Sequence, residues 1–272
     1  MAESILHYFE ELSSVYKLAW IVLCLSITWI LEFGIPFRRT DYNKWSHAGR
    51  NLVFLSTSIL INVVFGLLTV GVFLWLSSHS FGILNHVDLP FWLELLIAVM
   101  ALDLFAQYVS HRLLHKVRWM WKFHLVHHSD TMVDATTGTR HHPGDYLIRE
   151  LISLVTIIGF GIPLGMYVIY RFLTVAFTYF THANINLPQW LDRAVSLVFV
   201  SPDMHKFHHH FERPWTDSNY GNIFSLWDRA FGTFVYKDRA AIRYGVDVLD
   251  DDTSSDLAYQ FALPFNSGVK TD

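Results

Sequence analysis

Cysteine is almost missing from this chain. Cys24 is the only one in 272 residues, and it sits inside an apolar run. That excludes an internal disulfide, a cysteine-ligated zinc site and an iron–sulfur cluster. Charge is scarce as well. Charged residues make up 16% of the chain, well below the roughly 25% of soluble domains. The net charge of −4 leaves no basic footprint, so nucleic acid is not an expected partner. Glycine and proline are few, at 14 and 8, and aromatics reach 16%, which excludes collagen-like and disordered chains. No glycine-rich dinucleotide fingerprint and no flavin motif is present, so any redox chemistry needs an outside electron source.

What fills the chain is apolar: hydrophobic residues reach 52%, and the mean hydropathy is +0.29. Residues 18–37 form a run interrupted only by Glu32, and about 20 such residues cross a bilayer. Behind Glu3, Glu10 and Glu11, this run lies too far in to be a signal peptide. Residues 52–76 and 89–110 are a second and a third span, the latter with Asp103 as its one deep acid. Residues 147–181 are split by Gly159, Gly161, Pro163 and Gly165 into halves short for a crossing, which predicts a re-entrant helical hairpin. The segment 38–50 carries Arg38, Arg39, Lys44 and Arg50, whereas 77–88 has no Lys or Arg. Positive loops stay cytoplasmic, so the N-terminus is expected outside and everything after His111 inside. Residues 189–200 are too short to cross and are expected along the interface. The tail, with Asp247, Asp250, Asp251, Asp252 and Asp256, reads as solvated surface.

Sixteen histidines stand against this background, most of them between His111 and His210. Three clusters stand out: His111-Arg-Leu-Leu-His115, His124-Leu-Val-His127-His128 and His205-Lys-Phe-His208-His209. Spacings of three and four put side chains on one helix face, about 5–6 Å apart at Cβ. Imidazole is the commonest side-chain metal ligand and suits iron, copper and zinc. One HxxxH alone is an ordinary interfacial or capping pattern. Three boxes on one membrane face point to bound metal, because eight protonated imidazoles would repel one another. Asp103, Gln107, His111 and His115 recur every four residues, so Asp103 is expected to hold the free N–H of a ligating histidine. The other reading pairs Asp103 with Arg112 or Lys116. His182, in Thr181-His182-Ala183-Asn184, is either a ninth ligand or an interfacial histidine, and His142 is a candidate to complete the shell. His141 and His210 are expected nearby but outside it. His7, His47, His79 and His86 are scattered and stay out.

On these residues the chain resembles the fatty acid hydroxylase/sterol desaturase superfamily. The pattern Asp103…His111-x-x-x-His115, His124-x-x-His127-His128-Ser129 and Pro202-x-x-His205-x-x-His208-His209 carries the likeness. Thr136-Thr137-x-x-Arg140-His141-His142-Pro143, His182-Ala183-Asn184-Ile185, Asn219-Tyr220-Gly221 and Trp227-Asp228-Arg229-Ala230-Phe231-Gly232-Thr233 extend it over about residues 95–235. The resemblance implies a non-haem di-iron centre that activates O2 to oxidise a lipid C–H bond. It also implies site roles for Asp103, Asn184 and Asn219 beside the ligands His111, His115, His124, His127, His128, His142, His182, His205, His208 and His209. Some members carry a second histidine where Asn186 stands here.

The chemistry agrees with the likeness. Acids and bases of amino acids cannot break an unactivated C–H bond, and a metal with O2 can. A zinc protease would need a glutamate base in a box, as in HExxH, and none is present. A transporter would spread its ligands through the membrane depth, and a haem carrier would place paired histidines mid-span. The expected architecture is an all-α integral membrane protein: about three transmembrane helices, a re-entrant hairpin and a cytosolic histidine-rich helical cap. Expected divisions are a transmembrane region at 1–94, a histidine-box domain at 95–238 and an acidic tail at 239–272. The expected function is O2-dependent hydroxylation of a lipid, a fatty acyl chain or a sterol-like molecule, with two iron ions. Electrons would come from a separate NAD(P)H-dependent donor protein. Desaturation by the same site is the alternative, and a membrane metal-binding protein or transporter the distant one.

Overall fold

The first span becomes a helix over its whole apolar length because nothing in it breaks one. In the computed structural model, which describes residues 2–39 and 41–269, a short α1 (Ala2–Glu10) precedes α2 (Ser14–Gly34) and α3 (Lys44–His79). Helix α3, at 36 residues, is about 54 Å long, well beyond a hydrocarbon core of about 30 Å. Its first turns therefore stand clear of the membrane. Leu60, Val63, Val64, Leu67 and Leu74 on α3 are all exposed, Leu67 to 81%. A band of exposed aliphatics this long is a lipid-facing surface.

The third span is one continuous helical run with a flaw. Helix α4 (Phe91–Leu102) passes into a π-helical segment, Asp103–Val109, and then into α5 (Ser110–Lys116). This run is the most enclosed of the spanning helices. Extended Val117 (φ −98, ψ 112) turns the chain back into α6 (Arg118–His128), which packs on α5. The hairpin is α7 (Pro143–Phe160) and α8 (Leu164–His182). Its turn reaches the far end of α3: a Cβ on Gly82 would lie 2.2 Å from the Gly161 nitrogen. Both residues have positive φ, +103 and +69, which only glycine adopts freely.

Among the described residues, four helical runs are long and apolar enough to cross a membrane: α2, α3, Phe91–Lys116 and α8. The first three are the expected spans, and α8 is the second arm of the expected hairpin. Short α9 (Gln189–Val195) exposes Trp190, and Leu197 follows it on the surface. Beyond it lie α10 (Pro202–His208), α11 (Leu226–Ala230) and α12 (Leu257–Ala262). No β-strand occurs among the described residues, only two isolated bridges.

The tail is more than a solvated strip. Its acids Asp247, Asp250, Asp251, Asp252 and Asp256 are exposed, but Val246, Leu263 and Val269 are buried with Phe54, Trp121 and Leu125. Gln260 accepts from the Ser129 hydroxyl at 3.0 Å, and the Ser254 carbonyl accepts from Arg140 at 2.6 Å. Alternating acids with apolar residues let the segment cover the cap while facing water.

Glu32 is also explained. It sits at the C-terminal end of α2, accepting from the Ala135 and Asn184 backbones at 2.7 and 2.8 Å and from Lys44. It ties three segments together where the bundle meets the cap.

Ser78, at the end of α3 near the hairpin turn, and Ser255, in the cap, thus lie at opposite ends of the bundle. Single cysteines at these positions in a Cys24→Ser background should react with an impermeant thiol reagent from opposite sides of sealed membranes. Labelling of both from one side would contradict the arrangement.

Candidate metal centre

An HH pair on a helix splits its two side chains by about 100°. That geometry divides the boxes between two clusters. His111, His115, His124, His128 and His208 converge with ligand atoms within 4.8 Å of one another, and so do His127, His182, His205 and His209. His127 and His128 go to different clusters, as do His208 and His209. Every one of these nine side chains is buried.

The far ring nitrogens fix what the near ones can do. His111 donates from Nδ1 to the Tyr220 carbonyl at 2.8 Å, and His124 from Nδ1 to Asp145 at 2.8 Å. His182 donates to the Thr178 carbonyl at 2.7 Å and His208 to the Ser218 carbonyl at 2.7 Å. His115 Nδ1 lies 3.4 Å from Asp217. These partners accept only, so each Nδ1 holds the proton and each neutral Nε2 presents a lone pair.

In one pair the two lone pairs face each other. His111 Nε2 lies 2.9 Å from His124 Nε2, two acceptors with no proton between them. His182 Nε2 lies 3.2 Å from His127 Nε2 and 3.0 Å from His205 Nε2, and His115 Nε2 lies 3.1 Å from His128 Nε2. Two nitrogens bound at right angles to one cation at about 2.1 Å would stand about 3.0 Å apart. His208 Nε2, both nitrogens of His209 and the Nδ1 atoms of His127, His128 and His205 are buried without a hydrogen-bond partner. The donor set therefore fits divalent transition metal, and nitrogen ligands suit iron.

Burial keeps the imidazoles neutral. It pushes His124 down to about 3 although Asp145 opposes it, and it pulls His127, His128, His205, His208 and His209 well below their ordinary value. Asp145 itself stays ionised: Arg149 and the neighbouring imidazoles outweigh its burial and hold it well below the carboxylate range.

Local folding sets each ligand. Asp228 accepts from the Tyr220 and Gly221 nitrogens at 2.8 and 2.9 Å, which aims the Tyr220 carbonyl at His111. Gly138 lets the Ala135–Thr139 turn lie against α8, where a Cβ would come 2.8 Å from Thr178 and 3.4 Å from His182.

Several expected site residues take other places. Asp103 touches no histidine; it accepts from the Ile223 and Phe224 nitrogens and Trp227 Nε1 at 3.1, 3.0 and 2.9 Å. The reason is distance along the helix: Asp103 stands two turns before His111, roughly 12 Å at an α-helical rise, which is beyond the reach of its carboxylate. Asn184 bonds Arg38 through both side-chain atoms, at 3.0 and 2.8 Å, and latches the chain after α2 to the end of α8. Asn219, at φ +54, donates to the Met204 and Val235 carbonyls at 2.8 and 2.7 Å and so positions α10. Among the described residues, none of the three bonds a cluster histidine.

His142 is a helix cap. Its Nδ1 accepts from the Gly144 nitrogen at 3.0 Å and its Nε2 lies 3.2 Å from the Phe261 carbonyl, so both nitrogens are taken. His141 comes closer, stacked on His127 with centroids 4.5 Å apart and bonded to Asp145 at 2.9 Å. His182 lies in the second cluster with His127, His205 and His209. Asp145 and Asp217 escaped the sequence reading, though Asp145 follows the His141-His142 pair in the first turn of α7. His47, set aside as scattered, is buried between Asp130 and Asp134 at 2.9 and 3.2 Å.

Residues 95–233, about half of the chain, match the family model described as fatty acid hydroxylase. The chain belongs to that family. Among curated relatives of this fatty acid hydroxylase family member, an ornithine lipid hydroxylase of Rhizobium tropici is 28% identical over 130 residues, 48% of this chain and 38% of that protein. The human alkylglycerol monooxygenase is 26% identical over 241 residues, 85% of this chain and 48% of its own length. Mouse lathosterol oxidase is 27% identical over 152 residues, 53% of this chain and 47% of that protein. The chain thus spans about half or less of the length of these relatives. No solved structure gives a significant match.

Imidazoles held neutral by burial make stability depend on pH. Below about 6.5 the unfolded chain takes up protons that the folded chain refuses. Stability must therefore rise with pH from the folded value of His124, about 3, to the unfolded value of 6.5. The metal-free protein in detergent should lose Tm steadily as pH falls from about 7 to 5. A flat melting profile over that interval would contradict neutral, buried imidazoles.

Proposed function

We propose that this chain is a membrane-embedded, O2-dependent lipid hydroxylase with two iron ions, one in each histidine cluster. The observation that carries the reading is the pair of opposed lone pairs on His111 and His124, 2.9 Å apart, which a bound cation reconciles. His111, His115, His124, His128 and His208 would hold one ion, and His127, His182, His205 and His209 the other. Iron held there supplies the one chemistry the side chains lack, the reduction of O2 coupled to oxidation of a C–H bond.

The residues of the chain do the rest. Asp145, Tyr220, Thr178 and Ser218 fix the tautomers, which also raises the basicity of each ligand. A cavity of about 170 Å³ reaches His111, His127, His182 and His205 and is walled on its membrane side by Ile21, Leu55, Ile59 and Val175. Those walls admit a lipid from the side and keep bulk water from the oxidising centre. The balance is R–H + O2 + 2 e⁻ + 2 H⁺ → R–OH + H2O. The two electrons come from a separate, NAD(P)H-dependent donor protein. Arg38, Arg39, Lys44 and Arg50 at the histidine end, against none at 77–88, support a cytosolic site, where that donor would dock.

Hydroxylation is favoured over desaturation by the activities that name the relatives, a monooxygenase matching 85% of this chain and a lipid hydroxylase. Supplied with 18O-labelled O2, a reducing system and membrane lipid, the protein should place one 18O atom in the lipid product. A product with a new double bond and no label would make it a desaturase. No O2 consumption with any lipid at full iron loading would reject the oxygenase reading.

A further inference from the structure

The cavity beside the histidines is not the plain hydrocarbon slot that a lipid oxidase needs. Tyr146, Arg149, Glu150, Arg171 and Asn222 line it together with the imidazoles. Arg149, Glu150 and Arg171 interrupt the hairpin's apolar sequence, and ionisable groups inside a membrane protein are costly unless they serve a function.

Their pairing is informative. Arg171 is paired with Glu150, and Arg149 with Asp145 at 2.9 Å. Arg149 also donates to Gln107 at 3.3 Å. Both cations already have their carboxylates, so an anionic ligand would be desolvated without a free counter-charge. Open hydrogen-bonding capacity remains beside them. The Tyr146 oxygen accepts from Asn62 at 2.5 Å and from Arg171 at 2.7 Å, and its own proton has no acceptor among the described residues. Asn222 Oδ1 is buried with no donor, its amide being used on Thr178 at 2.9 Å. A donor and an acceptor left open in one cavity suit an uncharged group that can both accept and donate.

The size of the cavity points the same way. At about 170 Å³ it is well under the roughly 300–1,000 Å³ that encloses a whole drug-sized ligand. Only one end of a long lipid fits. Asn62, near the middle of α3, is exposed on the side of the bundle where the aliphatic wall opens. A chain leaving past Asn62 and Ile59 would enter the bilayer directly.

Resting on the lipid hydroxylase reading, we propose that this cavity holds the uncharged, hydroxyl- or ether-bearing head of an amphipathic lipid. Tyr146 donates to the head, Asn222 accepts from it, and the alkyl chain trails between α3 and α8 into the membrane. The carbon presented to the histidines then lies within a few bonds of the head, not at mid-chain. Tyr146 and Asn222 are specificity-determining residues in this arrangement.

The test is equilibrium binding, under argon and without reductant, of radiolabelled 1-O-hexadecylglycerol to the full chain in detergent, with hexadecane and palmitate as competitors. The glyceryl ether should bind saturably, and each competitor should displace it at least about tenfold more weakly. Tyr146→Phe should weaken the glyceryl ether about tenfold, the equivalent of about 1.4 kcal/mol, and leave iron content and weak hexadecane binding unchanged. If Tyr146→Phe melts early, Asn62→Leu, which removes a bond to the same hydroxyl, should show a smaller loss of the same kind. Equal competition by hexadecane, stronger competition by palmitate, or wild-type binding by both variants would overturn the proposal. No turnover occurs in this measurement, so a failure of the oxygenase reading shows in the 18O experiment and not here.

Discussion

Lone pairs repel, and in this protein nine buried imidazoles are gathered with those of His111 and His124 opposed at 2.9 Å. Burial forbids the usual escape of protonation, because a charged imidazole in this interior would be unsolvated. Hydrogen bonding offers His111 and His124 no escape either, since their partners have fixed each proton on the outer nitrogen. A cation shared among the inner nitrogens removes the conflict. Much of the surrounding structure exists to hold that arrangement. Asp228 shapes the loop that offers Tyr220, Asp103 anchors the next turn of that loop, and Asn219 ties α10 to it.

The membrane supplies the second constraint. The spanning helices end in the site, and α3 overshoots the hydrocarbon to carry His47 and Asn51 into the cap. There His47, Asp130, Asp134 and Glu32 form a buried polar floor under the Ala135–Thr139 turn. The site is therefore held between a greasy bundle and a polar cap, open to lipid from the side. The Arg171–Glu150 pair joins α8 to α7 in the cavity lining and the Arg149–Asp145 pair backs His124, so the hairpin could not be apolar throughout.

Much of this was legible from residue spacing. The three boxes, their convergence at one end of the bundle and the span positions all follow from periods of three, four and about twenty. What was not legible depends on reach and local contacts rather than on those periods. The Asp103–Gln107–His111–His115 ladder gives a shared face but not reach: Asp103 lies two turns from His111 and meets the Ile223–Phe224 backbone instead. His141 and His142 are neighbours with opposite fates, because Pro143 starts α7 and makes His142 its cap. Asn184 and Asn219 carry the family pattern but act on backbone, a distinction that sequence does not display. Asp145 and Asp217 reach the histidines only through the fold, and the hairpin's second arm proved long enough to cross because Arg171 is neutralised by Glu150 rather than exposed to lipid.

The split of adjacent histidines between two clusters is the most specific claim, and iron analysis tests it most directly. The wild-type protein saturated with ferrous iron under argon should hold about two ions per chain, as two-metal sites do. His208→Ala and His209→Ala, altered at neighbouring residues, should each weaken a different ion, with iron spectra that change in complementary ways. A wild-type protein that binds no more than one ion at saturation, or two variants with the same altered spectrum, would contradict the account.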